Sequence, residues 1–343
     1  GNKMKKKLLS VLCCTAMLTS LLAGCTSNAG TSTSTEASTA AQAATSAAEE
    51  ASKDEAQTSE LKADGDYKVA LITMDSIDQH WVTLHEGAKA EADALGVKLD
   101  FLSPDTKDDA KQIECINNAV AGAYDALIVA ANSEDAVSGA LKEAVSAGIK
   151  LIYVDSPANV EAEATFSTDN KQAGFIAGEQ LLEALKTKGV TEGSIGIVNV
   201  NTSTQSTILR EEGFREAFDK SGFTILETQY CDDDAARAQT IAENYLTEGV
   251  VGIFGANEGS STGVGNAIKA ADADVVGVGF DKSDSIKGLI TDGYLLCTMA
   301  QNPDVMGKLG VDAAVRALNG EKLGGEVTDT GVTVINLKNV AEY

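Results

Sequence analysis

Polar residues follow the ends of several apolar runs in this sequence, where side chains could bind a small ligand or act on it. Asp155, Asn257 and Asp281 each stand directly after such a run. A pair of carboxylates can work as general acid and base, but catalysis also needs a nucleophile, a base or a metal set nearby. The chain has two histidines and no Walker or H-E-x-x-H pattern. The residues therefore favour binding over catalysis.

The same residue types suit a ligand rich in hydroxyl groups. A carboxylate accepts hydrogen bonds from neighbouring hydroxyls, the guanidinium of Arg210 donates them, and the amide of Asn257 does both. The ring of Trp81, the only tryptophan, could cover the apolar face of a sugar. Plainer interpretations stay open, with Trp81 as a core residue, His80 as a solvated residue at a helix start and Arg210 in a surface ion pair.

The elements that must position these residues alternate along the chain. Short apolar runs bounded by Gly, Asp or Asn are followed by helical stretches, and runs such as Ala126–Ala130 are apolar throughout, as parallel strands buried on both faces are. Strand–helix alternation predicts a doubly wound α/β fold. Ligands bind beyond the carboxyl ends of the strands in such sheets, which is where Asp155, Asn257 and Asp281 stand.

Two segments repeat one pattern of strand, Asn, helix, strand and Asp. Asn132 leads through a helix predicted over Ser133–Ala147 to Asp155, and Asn257 leads in the same way to Asp281. Two similar α/β halves that face each other would bring Asp155, Asn257 and Asp281 into one cleft. Chance similarity of two βαβ units stays open as the alternative.

The N-terminal sequence predicts export and lipid attachment. A basic start, an apolar run too short to span a bilayer and small residues before Cys25 describe a secretory signal over residues 1–24. The quartet that ends in Cys25 resembles the lipobox of bacterial lipoproteins, whose cysteine is acylated, so we expect an extracytoplasmic chain held at the cell membrane by lipid alone. An incidental cysteine is the alternative. The polar composition of residues 25–65 predicts a disordered linker.

The composition of the chain argues against several classes of binding partner. The chain has 27 basic and 51 acidic residues, a formal net charge of −24, which argues against nucleic acid and anionic lipid because both need basic patches. None of its cysteines forms a C-x-x-C pair or adjoins a histidine cluster, so neither a metal nor any other cofactor is predicted. We expect a monomer.

A set of short motifs is spread from about Tyr67 to Lys338. They are Val69-Ala-Leu-Ile, Gly87-Ala-Lys-Ala-Glu-Ala, Val154-Asp155, Thr168-Asp169-Asn170, Ala177-Gly178, Arg210-Glu-Glu-Gly213-Phe214, Ala256-Asn257-Glu258, Val278-Gly279-Phe280-Asp281 and Ala300-Gln301. By these motifs the sequence resembles the ribose-type periplasmic sugar-binding proteins of ABC importers. The resemblance implies two doubly wound parallel-sheet lobes joined by a hinge, a type I periplasmic-binding-protein-like fold. The first lobe would comprise residues 66–168 and 302–330, and the second would comprise 169–301 and 331–343.

The resemblance also implies a set of ligand-binding positions. Three of them depart from a ribose binder. His80 replaces a stacking aromatic, Ser156 replaces an arginine, and Asp233 or a neighbour in Asp232–Asp234 replaces a phenylalanine. A sugar cleft is still expected, but its ligand could be another pentose or hexose, an amino sugar or a nucleoside. The predicted ligand contacts are Asp78, His80, Trp81, Asp155, Ser156, Arg210, Asp233, Asn257, Asp281 and Gln301.

The predicted function is capture of a monosaccharide or a similar small polyhydroxylated ligand and its delivery to an ABC permease. No catalytic residue is assigned. One alternative is a sensor that passes a furanosyl quorum-type signal or a nucleoside to a membrane receptor. A sugar-modifying enzyme is a further alternative.

Overall fold

The computed structural model describes residues 61–343, and the predicted signal and Cys25 lie outside them. These residues form two sheets. The strands of the first sheet are β1 (Lys68–Ile72), β2 (Lys98–Phe101), β3 (Ala126–Val129), β4 (Lys150–Val154), β5 (Ala164–Ser167) and β12 (Glu326–Asp329). The strands of the second sheet are β6 (Gly193–Asn199), β7 (Phe223–Ile225), β8 (Gln229–Tyr230), β9 (Gly252–Gly255), β10 (Val276–Phe280), β11 (Cys297–Gln301) and β13 (Val332–Asn336).

Helices connect the strands and cover both faces of each sheet. Within residues 61–343, no helix combines the length and the apolar character that a membrane crossing requires. The helices are α1 (Gln79–Leu95), α2 (Asp109–Ala121), α3 (Ser138–Ser146), α4 (Asn170–Thr187), α5 (Gln205–Ala217), α6 (Ala235–Glu248), α7 (Glu258–Ala271), α8 (Asp284–Thr291) and α9 (Pro303–Leu318), followed by a 3₁₀ turn, Val340–Glu342.

The two sheets have the same strand order. The first runs β2-β1-β3-β4-β5-β12 and is parallel throughout. The second runs β7-β6-β9-β10-β11-β13 and is parallel except for β13, while β8 pairs with the end of β6. Each sheet with its helices is called a lobe below. The predicted fold class of two doubly wound lobes is confirmed, and the repeated strand–helix–strand pattern reflects it, since β3–β4 and β9–β10 hold equivalent places.

The chain passes between the lobes at several points. Helix α4 follows β5 of the first sheet but packs on β10 and β11 of the second, whereas α9 follows β11 and packs on β3, β4 and β5 of the first. The last passage joins β12 to β13. Each lobe is therefore built from separate stretches of chain. The residue boundaries given above for the two lobes stay a prediction.

Alternate residues of the central strands enter cores on opposite faces of a sheet. Leu71 of β1 and Ile128 of β3 pack with α1 and α9, whereas Ile72 and Leu127 pack on the other face with α2 and α3. All four side chains are fully buried. Burial of such a side chain contributes roughly 1.5–3 kcal/mol, so both layers of helices are held firmly to the sheet.

Close helix packing places Arg210 in the second lobe. A Cβ on Gly174 of α4 would lie 2.0 Å from the carbonyl oxygen of Arg210, and one on Gly213 of α5 would lie 1.9 Å from that of Lys171. Glycine is needed at both positions because any side chain would force the helices apart. At this separation the Arg210 Nε donates to Asn170 Oδ1 at 2.9 Å.

One predicted helix was wrong at its start. The helix predicted over Ser133–Ala147 begins at Ser138. The Ser133 Oγ accepts a hydrogen bond from the N–H of Ala136 at 3.1 Å and closes a turn. The N–H of Glu134 donates to the carbonyl of Ser203 in the second lobe at 3.2 Å. The chain ahead of Ser138 is therefore held as a turn that contacts the other lobe.

Candidate ligand-binding site

Asp155 and Asp281 occupy equivalent positions in the two lobes. Each follows its strand, β4 or β10, is almost fully buried and has a left-handed backbone conformation, with φ of 61° and 74°. Aspartate tolerates this region better than most residues. A hydroxyl on the next strand, Ser167 or Thr298, donates to the carbonyl of the aspartate at 2.6 and 2.7 Å. The two backbones are thus fixed alike, and both carboxylates line one cavity.

His80 lies between these two carboxylates. Its Nε2 is 2.8 Å from Asp155 Oδ2, and its Nδ1 is 3.5 Å from Asp281 Oδ1. Burial alone would lower the pKa of His80, but the carboxylates of Asp281 and Asp155 outweigh it and raise that pKa above its usual value. Burial would raise the pKa of Asp155, but the hydrogen bond and charge of His80, together with the charges of Arg210 and Lys107, outweigh it and lower that pKa. Both carboxylates therefore favour the protonated, cationic form of His80.

Arg210 is a buried cation on the opposite wall. Its Nη1 donates to the carbonyl of Ala256 at 2.9 Å, and its guanidinium carbon lies 3.9 Å from the centre of the Phe280 ring. Burial lowers the pKa of Arg210, but an arginine remains charged at any physiological pH. Because the groups that accept its hydrogen bonds, on Asn170 and Ala256, are uncharged, its charge is balanced through space by Asp155 and Asp281.

Two amides complete the second-lobe side of the cavity. The Gln301 Nε2 donates to Asp281 Oδ1 at 2.6 Å, while its Oε1 accepts from Thr168 Oγ1 at 2.8 Å. The Asn257 Oδ1 accepts from the N–H and the hydroxyl of Ser260 at 3.1 and 2.6 Å, which caps α7. These contacts hold both amides in place at the edge of the cavity.

Trp81 supplies the aromatic surface of the site. It is 4% exposed and lines the cavity. Its ring meets that of His80 edge to face, with centroids 4.6 Å apart. Trp81 also belongs to the core of the first lobe, so its predicted role at the cavity and its plainer role in the core are not exclusive.

Two predicted contacts lie away from the cavity lining. Ser156 is fully buried, and its Oγ accepts a hydrogen bond from the N–H of Ser206 at 3.2 Å. Asp233 binds Lys107 and Asn257. Both residues contact the opposite lobe. We had predicted that they would contact the ligand. Their assignment as ligand contacts stays a prediction, while the other eight predicted positions line the cavity.

Six further residues line the cavity without having been predicted. Most follow β6, the strand equivalent to β1, so the rule that ligands lie beyond strand ends could have found them. Lys107 follows β2, the edge strand of the first sheet. No pattern in the sequence indicated that it would reach the cavity. The six are Met74, Lys107, Val200, Thr204, Ser206 and Thr207.

The cavity is small in this closed arrangement. The free volume of the cavity, measured for a water-sized sphere, is about 20 Å³. This is room for about one water molecule. A ligand with several hydroxyls therefore needs the lobes to part or the side chains that fill the cleft to move.

A family model described as a periplasmic binding protein domain matches residues 69–322. The chain therefore belongs to the periplasmic binding protein family, and the predicted resemblance is confirmed. Among its relatives, the ribose import binding protein RbsB of Haemophilus influenzae is 29% identical over 290 residues, which cover 84% of this chain and 95% of that protein.

Solved structures of sugar complexes are similar to this chain. An ABC transporter solute-binding protein from Agrobacterium vitis, bound with α-D-tagatopyranose, has a TM-score of 0.77 and 29% identity, with 81% of this chain and 97% of that chain covered. A carbohydrate transporter solute-binding protein from Agrobacterium radiobacter, in complex with D-arabinose, has a TM-score of 0.78 and 28% identity, with 82% and 97% covered.

Proposed function

We propose that this chain captures a monosaccharide, or a similarly small polyhydroxylated ligand, between its lobes and delivers it to an ABC permease. The observation that carries the proposal is the meeting of Asp155 from the first lobe with Arg210 and Asp281 from the second at one cavity. Carboxylates and a guanidinium recognise neighbouring hydroxyls in this way. The ribose, tagatose and arabinose named for the relatives support a sugar.

Capture would proceed by hinged closure. The lobes, residues 66–168 with 302–330 and 169–301 with 331–343, would part about the passages near Thr168, Gln301 and Gly331. A hydrogen bond between Thr168 and Gln301 joins two of these passages to the site. A ligand that contacts both lobes favours the closed form by its differential affinity for the two states. The closed form would then dock on the permease.

Lipid on Cys25 would keep the chain at the outer face of the membrane, with residues 25–65 as a linker. Several acyl chains would make this attachment stable, because a single chain holds only marginally. Expression in the presence of labelled palmitate tests this part separately. Incorporation that is lost in Cys25→Ser supports the anchor, and equal incorporation in both proteins contradicts it.

A panel of pentoses, hexoses, amino sugars, polyols and nucleosides, followed by thermal unfolding, tests the ligand class. A ligand at 100 times its dissociation constant adds about 2.7 kcal/mol to stability, which is readily measured. We expect a sugar to give the largest shift and to be recovered chemically unchanged. Stabilisation by none of the panel would contradict the proposal, and recovery of a converted product would favour an enzyme.

A further inference from the structure

Lys107 lies buried between carboxylates of both lobes. Its side chain is 6% exposed, and its Nζ is 2.8 Å from Asp75 Oδ2 and 2.9 Å from Asp78 Oδ2. These two carboxylates belong to the first lobe, as Lys107 does. A third ion pair joins Lys107 to Asp233 Oδ2 of the second lobe. That contact depends on the lobes being closed, whereas the other two do not.

Asp233 is fixed by its own lobe. Its Oδ1 accepts hydrogen bonds from Asn257 Nδ2 and from the N–H of Gly259, the latter at 3.0 Å. Its backbone has a φ of 65° in the left-handed region. Asp75 is held equally well in the first lobe, where its Oδ1 accepts from the N–H groups of Ile77 and Asp78 at 2.8 and 2.9 Å. Closure alone is therefore enough to bring Asp233 and Lys107 together.

The charges around Lys107 favour its ion pair with Asp233. Burial would lower the pKa of Lys107, but the carboxylates of Asp233, Asp78 and Asp75 outweigh it and hold that pKa well above its usual value. Burial, together with the neighbouring Asp233, raises the pKa of Asp78, and the charge of Lys107 opposes this rise. Charges interact more strongly when they are shielded from water, so the pair gains strength as the cleft closes.

Another contact between the lobes involves the start of α1. Asp78 stands at the N-cap position of α1 but makes no capping hydrogen bond, and its carboxyl contacts Lys107 instead. The carboxylate of Glu258, from the second lobe, accepts from the N–H groups of Gln79 and His80 at 3.2 and 3.0 Å. The first turn of α1 thus gains an acceptor for its free donors from the opposite lobe.

We propose that Lys107 and Asp233 form a closing pair that stabilises the closed arrangement before any ligand is bound. Lys107 is then a positioning residue for ligand capture. Its three N–H donors already meet three carboxylate acceptors, so it acts on the ligand through the position of the lobes. The pair sets what fraction of the protein is closed without ligand.

Electron–electron distance measurements on the ligand-free protein test the closing pair. Spin labels on Lys89→Cys of α1 and Glu243→Cys of α6, both exposed positions, report the separation of the lobes. Cys13, Cys14, Cys25 and the half-buried Cys115 are replaced by serine in every protein, and Cys231 and Cys297 are buried. We expect a closed population that falls about ten-fold relative to the open one in Asp233→Asn, equivalent to about 1.4 kcal/mol.

Asp75→Asn is the matched control, because it removes a carboxylate from the same ammonium within one lobe. Its amide oxygen can still accept from Ile77 and Asp78, and we expect its closed population to change less than two-fold. Lys107→Met combined with Asp233→Asn completes a double-mutant cycle, in which the second substitution should add little to the first. No closed population in the parent protein, an unchanged one in Asp233→Asn, an equal loss in Asp75→Asn or additive effects would each overturn the proposal.

These measurements use no sugar. The closing pair can therefore fail while the proposed ligand class stands, and the ligand class can fail while the closing pair stands.

Discussion

The floor of the cleft, formed by Asp155 of the first lobe and Asp281 of the second, is built alike in the two lobes. The walls, formed by the side chains on either side of these aspartates, differ. Asp155 and Asp281 follow equivalent strands, share a left-handed backbone and have their carbonyls held by a hydroxyl on the next strand. The first-lobe wall carries the rings of His80 and Trp81, and the second-lobe wall carries Arg210 with amides and hydroxyls. The repeated topology thus fixes the carboxylates, while α1 and α5, the helices that follow the first strands β1 and β6, carry different side chains into the cleft.

The two carboxylates differ in their hydrogen-bond partners. Asp155 meets the ring of His80 in its own lobe at 2.8 Å. Asp281 accepts from the amide of Gln301 in its own lobe at 2.6 Å and lies 3.5 Å from His80. The two aspartates are therefore alike in backbone and unlike in their hydrogen bonds. The following predictions separate what the shared floor contributes from what each wall contributes.

Arg210→Met should have the largest effect, because it removes the fixed cation that both halves of the floor share. Losing one partner of a buried charge group costs about 3–5 kcal/mol, since the remaining charges stay buried. We expect ligand affinity to fall more than about 100-fold and the free energy of unfolding to fall by about 3 kcal/mol. Calorimetric titration and urea unfolding measure these quantities.

Arg237→Met is the control for that substitution. Arg237 pairs with Asp232 at the surface, where its side chain is 56% exposed, and such pairs contribute about 0–1 kcal/mol. If both arginine variants bound ligand as tightly as the unmodified protein, Arg210 would have no part in the site.

Asp155→Asn and Asp281→Asn test whether the two halves of the floor contribute equally. Each replaces a charged hydrogen-bond acceptor by a neutral group of the same shape, which costs about 1.5–3 kcal/mol. We expect affinity to fall about ten-fold or more in both proteins. Each should also lower the pKa of His80 measured by NMR titration, because both carboxylates raise it. A loss confined to one variant would show that the equivalent backbones do not make equivalent contacts.

The two histidines of α1 should respond to pH with opposite sign. The pKa of His80 is raised, so its stabilisation is present below the ordinary value near 6.5 and is lost as pH rises through the folded-state pKa. The pKa of His85 is lowered by burial and by Lys89, so His85 destabilises the fold as pH falls below 6.5. Urea unfolding of His80→Gln and His85→Gln at about pH 5.5 and about pH 8.5, on either side of the ordinary histidine pKa, measures both effects.

The expected outcome has a clear direction for each variant. The stability deficit of His80→Gln relative to the unmodified protein should be larger at the lower pH. His85→Gln should gain relative stability at the lower pH. The same direction of change in both variants would contradict the assigned environments.

The sequence predicted those parts of the site that follow from the alternation of strands and helices and from its repetition in the two lobes. Apolar runs and their alternation with helices were enough to place Asp155 and Asp281 at the ends of buried strands, and the repeated pattern was enough to suggest two facing halves. Lys107 escaped prediction because its importance arises from carboxylates that are distant in sequence, such as Asp233. Whether Ser156 and Asp233 contact ligand depends on side-chain partners in the other lobe, which no local pattern encodes.

Asn132 and Asn257, equivalent in the sequence repeat, provide the smallest contrast. Asn257 caps α7 and adjoins the cavity. Asn132 does not line the cavity, and its Nδ2 donates to Asp109 in its own lobe. Since α3 begins at Ser138, six residues after Asn132, that asparagine has no helix to cap. The repeat has an asparagine at both strand ends, but the two asparagines make different contacts.

Asn257→Ala should therefore lower the free energy of unfolding by about 1 kcal/mol through loss of the cap, and should weaken ligand binding about five-fold through loss of a hydrogen bond of about 1 kcal/mol. Asn132→Ala should change affinity less than about two-fold, because its amide contacts the first lobe alone. Titration of the best sugar with both variants measures the contrast. Equal losses of affinity would mean that the two strand ends contribute alike to the ligand, and the distinction between a shared floor and separate walls would have to be withdrawn.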